Sequence, residues 1–461
     1  METAQHERGM TLVVLAGVLS IGVAAAFAAG FASHAARLAR DRASDRALAA
    51  AREALIAYAA SRPIDAEVGP GYLPCPDLDN DGWAEPTCGS QSGSSGQAQR
   101  LGRLPWKTLG IEDLRDGHGE RLWYAVSSKH KGLLNCAPND ACVDMSPEAA
   151  LGTITVRDST GTIVHDGRIA EAGRAEGSGA VAVLIAPGPA LERVEGIGRA
   201  ARRAQARDTP AQRLDPANYL DKAPGPAYGD EDNADFVDRN DMRSGNANGF
   251  IRGPVRLSDG TVLVNDRVAV VAYEDVMPRV MQRVARELTQ CLRWHASLPG
   301  SAGRYPAPAP LCRQADLESS EAWRGEPGIA FGRFPLAALE ACALATAGDG
   351  WWRAWRRHAF YALDVQPVDA AGQAIGPARD FAVLVAGAPL AGQARGGAGA
   401  RDPRQWLEGA HRELERLNPN PAAPQCAPEP SRAPCAPRSQ CDRVVLASGS
   451  RERNDVVTVY P

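Results

Sequence analysis

The chain has 461 residues, 44% of them hydrophobic and 23% charged, with a formal net charge of −4. That leaves room for two or more domains with cores of their own, and a nearly balanced charge without a basic stripe excludes nucleic acid as an expected partner. The ten cysteines all follow residue 33 and form an even set, which points to disulfides in an oxidising compartment.

The first nine residues are a short polar leader ending Arg8-Gly9, and Met10-Thr11-Leu12 opens an uncharged run of 23 residues to Ala32. At a rise of ~1.5 Å per residue such a run crosses a ~30 Å hydrocarbon core. Helix formers continue without Pro or Gly from Ala32 to Pro63, where a proline ends the pattern. Leu48, Leu55 and Ala59 share one stripe of that segment, while Arg42, Asp45 and Arg46 keep the other side wet. The spacing predicts one rod helix over 10–62, apolar in its first half and amphipathic in its second.

Residues 77–85 read Asp77-Leu78-Asp79-Asn80-Asp81-Gly82-Trp83-Ala84-Glu85. Alternate carboxylates and a Gly at the sharp turn match the opening of a calcium loop. Side-chain oxygens would come from Asp77, Asp79 and Asp81, a carbonyl from Trp83 and a carboxylate from Glu85. Hard oxygen donors in a flexible loop favour Ca²⁺ over zinc or copper. A solvated acidic turn is the alternative reading of the same residues. Cys88 stands where the final bidentate Glu would be, and a Cys75–Cys88 bond would pin the loop. Further neighbour pairs are Cys136 with Cys142, Cys291 with Cys312 and Cys435 with Cys441, leaving Cys342 and Cys426 as other partners.

The chain then repeats a series of landmarks. Gly71-Tyr72-Leu73-Pro74, Leu101-Gly102-Arg103-Leu104-Pro105, Glu120–Ala125, Ala182–Ala186 and Val264–Val270 are followed in the same order by a second set. That set is Gly303-Arg304-Tyr305-Pro306, Phe331-Gly332-Arg333-Phe334-Pro335, Arg357–Ala362, Ala382–Ala386 and Arg453–Val459. A helix precedes each series, the second over Met277 to about Leu298, so the order reads as two copies of a helix-then-sheet module. Strands are predicted at 121–127, 152–157, 162–165, 180–186, 261–264 and 267–273, then at 359–365, 381–385, 444–447 and 455–460. Turns at Asp158–Gly161 and Ser258–Gly260 make hairpins. Residues 90–99 and 418–439 read as loops, and 199–248 as a polar surface excursion carrying little core. The sequence holds no zinc-protease, P-loop or nucleophile-elbow signature, so no catalytic role is expected.

The leader closed by Gly9, the Met10-Thr11-Leu12 start and the apolar run resemble the N-terminus of type IV pilin-like proteins, and the large body resembles a minor pilin or the tip pseudopilin of type II secretion. Val14 stands where the family usually has Glu, a residue that the tip pseudopilin also lacks. The resemblance implies an α+β chain: a leader over 1–9, a long N-terminal transmembrane and amphipathic helix over 10–62, and two pilin-like helix-plus-antiparallel-sheet modules over 63–275 and 276–461. It further implies cleavage between Gly9 and Met10 by a prepilin peptidase, methylation of the new terminus, and lateral packing with other pilins or pseudopilins. The expected location is the inner membrane, single-pass, with the globular part in the periplasm at a filament tip. The alternative is a signal-anchored periplasmic binding or adhesion protein that never enters a filament.

Overall fold

A computed structural model describes residues 3–64, 69–86, 88, 100–131, 145–148, 150–167, 179–195, 201–236, 249–311, 323–342, 352, 354–369, 371–390, 392–408, 411, 412, 414, 443–445 and 455–460. The predicted loops at 90–99 and 418–439, and Cys136, Cys142, Cys312, Cys426, Cys435 and Cys441, lie outside the described residues.

Helix α1 (Thr3–Ser61) is continuous over 59 residues, about 88 Å at 1.5 Å each. Its C-terminal part is where it meets the body: Ala47, Leu48, Ala51, Leu55, Ile56 and Ala59 are buried in the main core. From His34 to Arg40 every residue is exposed. The expected membrane span is corrected here. No helix among the described residues is long and apolar enough to cross a membrane, so neither the transmembrane element nor the single-pass inner-membrane location stands. In the part of α1 whose side chains are described from His34 on, Arg37, Arg40, Arg42 and Arg46 stand exposed, and an Arg at a bilayer centre costs at least ~2.5 kcal/mol, so this stretch cannot lengthen an apolar span.

The body is α+β. Its first sheet orders β1 (Leu101–Arg103), β2 (Trp123–Val126), β5 (Ala182–Ala186) and β11 (Arg267–Val271), all antiparallel. Between these strands come β3 (Val156–Arg157), β4 (Ile163–His165), β6 (Glu192–Val194), β7 (Arg202–Ala204), α2 (Pro210–Leu214), β8 (Phe250–Ile251), β9 (Val255–Arg256) and β10 (Val262–Val264). The chain passes from β11 straight into α3 (Tyr273–Ser297), which starts a turn earlier than its sequence pattern suggested. The second sheet orders β12 (Phe331–Arg333), β13 (Ala359–Val368), β14 (Arg379–Val385) and β16 (Val456–Tyr460), with β15 (Arg443–Val445) parallel to β13. Short helix α4 (Leu336–Ala341) lies between β12 and β13.

The two sheets agree residue by residue. Gly102 faces Tyr124 and Arg103 faces Trp123 in the first; Gly332 faces Tyr361 and Arg333 faces Phe360 in the second. Tyr124 pairs with Leu184, which pairs with Ala269; Tyr361 pairs with Val383, which pairs with Thr458. The third strands therefore correspond with Ala182 opposite Phe381, one residue away from the Ala182–Ala382 match read in sequence. Side chains alternate faces along a strand, so only this register keeps the same faces buried. The glycines have one cause: a segment crosses each first strand there, and a Cβ on Gly102 or Gly332 would lie 2.7 Å from the Asp77 carbonyl or 2.1 Å from that of Ala309.

Helices α1 and α3 cover one face of the two sheets and touch each other. Tyr124, Leu184 and Val271 join Val280, Val284, Tyr361 and Val383 in one continuous core. Arg52 on α1 bonds Asp275 on α3 at 2.5 Å and the Val270 carbonyl at 3.1 Å, and Glu53 bonds Arg279 at 3.0 Å. The opposite face of each sheet is covered too. Trp123, Val183 and Ile185 pack under Tyr219, Leu220 and Phe236, and Phe360, Ala382 and Leu384 pack under Trp406 and Leu407. Sheets buried on both faces read as unbroken apolar runs, which is why β5 and β14 look alike. The packing of Tyr219, Leu220, Ala223 and Phe236, all buried, corrects the reading of 199–248 as an excursion with little core.

Candidate functional site

The acidic loop is closed chiefly by its own amides. Asp77 is buried, and its Oδ1 accepts the N–H groups of Asn80 (2.6 Å) and Asp81 (3.2 Å), its Oδ2 that of Gly82 (2.8 Å). Asp79 accepts from the Asp81 amide at 3.1 Å, Asp81 from the Trp83 amide at 2.7 Å, and Glu85 from the Leu78 amide at 3.2 Å. Gly82 takes the left-handed turn at φ +92°. Burial, then the neighbouring charges of Asp79 and Asp81 against the amide bonds, leaves the Asp77 carboxyl above its ordinary value. Arg121 donates to the Asn80 carbonyl and side chain at 2.8 Å, and Lys107 donates to the Asp81 carbonyl. Asp77, Asp79 and Glu85 each bring a carboxylate oxygen within 4.8 Å of the others. Asp81 is not part of that group, and the Trp83 side chain stands exposed beneath the Lys107 ammonium, 5.9 Å from its ring centre.

A disulfide joins Cys75 to Cys88 across this loop. Cys291 bonds Cys342, so the neighbour pairing of Cys291 with Cys312 does not form. That bond ties the buried side of α3 to the end of α4. Gly9 and Met10 lie within α1, and their side chains fall outside the described residues. A cleft at the C-terminal end of α3 is lined by Gln290, Arg293, Trp294, Ser297 and Tyr305.

The most elaborate polar structures are two buried ladders that the sequence reading missed. In the first module the Arg103 guanidinium sits 4.0 Å from the ring centres of both Trp123 and Tyr219, and Arg207 lies 4.2 Å from the other neighbour of Arg103's stack, Tyr219. In the second, Arg333 lies 4.0 Å from Phe360 and 4.5 Å from Trp406, and Arg395 lies 4.6 Å from Trp406. Each inner arginine donates to two carbonyls: Arg103 to Arg121 (2.9 Å) and Arg213 (3.3 Å), Arg333 to Arg357 and, at 2.9 Å, Ala400. Each outer arginine bonds a glutamate, Arg207 to Glu120 at 2.8 Å and Arg395 to Glu148 at 3.0 Å. Burial pushes Arg103 down to about 10, so it stays charged at neutral pH.

The ladders carry a sequence signal. Gln205-Ala206-Arg207 and Asp215-Pro216-Ala217-Asn218-Tyr219-Leu220-Asp221 reappear as Gln393-Ala394-Arg395 and Asp402-Pro403-Arg404-Gln405-Trp406-Leu407-Glu408. The glutamines do the same work, Gln205 accepting the Leu191 amide at 2.9 Å and Gln393 the Leu390 amide at 2.8 Å. Asp266 accepts the Asp221 amide at 2.8 Å, as Asp455 accepts that of Glu408 at 2.9 Å. A sixth landmark thus lies between the fourth and fifth of the sequence series. These ladders staple an irregular segment to the outer face of each sheet.

No family model, curated protein or solved structure matches the chain.

Proposed function

We propose that the protein is a non-catalytic pilin-like subunit, of the minor-pilin or tip-pseudopilin kind, that joins a filament of the type IV pilus or type II secretion class through α1. The observation carrying this reading is the asymmetry of α1. Its C-terminal part is buried against the first sheet from Ala47 onward, whereas its residues 34–40 are exposed on a helix that continues to Thr3. The exposed stretch 34–40 is the surface that this reading offers to like helices. The second module, with α3 in the place of α1, doubles the bulk of the head, which suits a terminal position better than a repeated one.

In this proposal a prepilin peptidase cuts after Gly9 and Met10 becomes the first residue. Ca²⁺ enters at one place, the Asp77, Asp79 and Glu85 oxygens, where it would hold the loop and supply no chemistry. Mass spectrometry of the N-terminus of protein recovered from cells tests the reading. A chain beginning at Met10, cross-linked through α1 to pilin-like partners, supports it. An intact Met1, or a cut near Ala29, would remove its basis.

A further inference from the structure

In the first module two carboxyls are buried together beneath the irregular segment, Asp221 and Asp266, both at 0% exposure. Asp266 Oδ2 accepts the Asp221 amide and the Asn233 side-chain amide, each at 2.8 Å. Asp221 in return accepts the Asn265 amide at 2.8 Å and the Gln205 side chain at 3.0 Å. Three of these bonds join segment 201–236 to residues 265 and 266 just before β11, and the Gln205 bond braces Asp221 within the segment. They are made to neutral donors, and among the described residues neither carboxyl has a cation within 4 Å. The charged groups facing the pair are already engaged. Arg193, on β6, is held by Asp232 at 2.5 Å and Glu195 at 3.0 Å, and Lys222 reaches Asp232 at 3.6 Å. Arg207 is held by Glu120. Among the described residues, Asp266 Oδ1 is buried with no hydrogen-bond partner. Two bare anions side by side without solvent or counter-ion are very costly, and a carboxyl in that position keeps its proton instead.

We propose that Asp221 and Asp266 form a proton-operated latch: docking of segment 201–236 retains a proton on this pair, and the docked state weakens as pH rises from about 5 toward neutrality. The proton released on opening goes to solvent. Burial pushes Asp221 up to about 7 and Asp266 well above its ordinary value, the charge of Asp221 adding to the second shift. By linkage, the undocked carboxyls ionise near pH 4, whereas docked Asp221 ionises only near 7 and docked Asp266 is held well above its ordinary value. The docked state thus binds the extra proton and loses ground as pH rises between those values.

Hydrogen exchange, corrected for the intrinsic pH dependence of exchange, tests this on the full chain. Between pH 5 and 7 the protection of amides in 201–236 should fall by about tenfold per pH unit relative to amides in α3. Asp266→Asn keeps both bonds at Oδ2, because an amide oxygen can accept the two donors, and should reduce that slope. Asp221→Asn combined with Asp266→Asn should abolish it. Protection in 201–236 that tracks α3 in the wild type overturns the latch, as does a slope that survives Asp266→Asn unchanged. Should the double variant not fold, the wild type and the single variant decide between these outcomes.

Discussion

Arg103 and Arg333 occupy the same place in two different sheets, each 4.0 Å from the ring of the residue opposite it, Trp123 and Phe360. An arginine between two rings gains from the cation–π contact and from carbonyl bonds that fix its plane. It holds an irregular segment that has few backbone ladders of its own.

Replacing either arginine should therefore undo the outer layer of its own module. Arg103→Met and Arg333→Met each leave two carbonyls without a donor and remove the stacking. Each should cost about 3 kcal/mol, from buried hydrogen bonds and a desolvated cation–π pair. Urea titration monitored at separate probes in the two halves checks this, and equal losses from both variants would show that the ladders are equivalent.

The Cys291–Cys342 bond spans 51 residues. Closing a loop of that length constrains the unfolded chain by about 4 kcal/mol on the entropic model. Replacing both cysteines by Ala should lower stability by roughly that amount or somewhat less. Comparing the denaturation midpoints of variant and wild type, both oxidised, measures it.

Calcium should raise the melting temperature of the oxidised protein, and Asp79→Asn with Glu85→Gln should remove the rise. Both residues contribute oxygens to the acidic group while making one amide bond each. Calorimetry with calcium, magnesium and chelator reads the effect. A melting temperature indifferent to calcium would leave the loop as a self-capped acidic turn.

In the second module Asp455 is fully buried and pushed up to about 7, by burial first, against the bonds to Glu408 and the charges of Arg395 and Arg412. A folded-state value raised above the unfolded one contributes stability that is whole below about pH 4 and lost as pH rises toward 7. Asp455→Asn should flatten that decline. Its Oδ2 takes the Glu408 amide and faces His411 at 3.2 Å, while Oδ1 has no partner among the described residues, so an amide oxygen can replace Oδ2. Thermal melts from pH 5 to 8 give the comparison.

The strands of both sheets were legible because apolar, β-branched runs bounded by Gly, Asp or Pro need no long-range information. The 101–103 and 331–333 strands were noticed only as landmarks, since three residues carry no period. Segment 201–236 misled for a definite reason. Its arginines and aspartates look solvated on composition, and their burial depends on Glu120 and Asp266, which are distant in sequence. The acidic loop was legible as a set of carboxylates, but its residues could not say that Asp81 would turn to the Trp83 amide.

By itself, the sequence determined the α+β class, the long N-terminal helix and the order of the recurring landmarks, because these rest on local propensity and period. Tertiary structure alone decided the rest. It set the one-residue register that matches Ala182 to Phe381 and the choice of Cys342 as partner to Cys291. Register and pairing are settled by which faces are buried together, and an arginine becomes a core residue only when rings and carbonyls from elsewhere in the chain close around it.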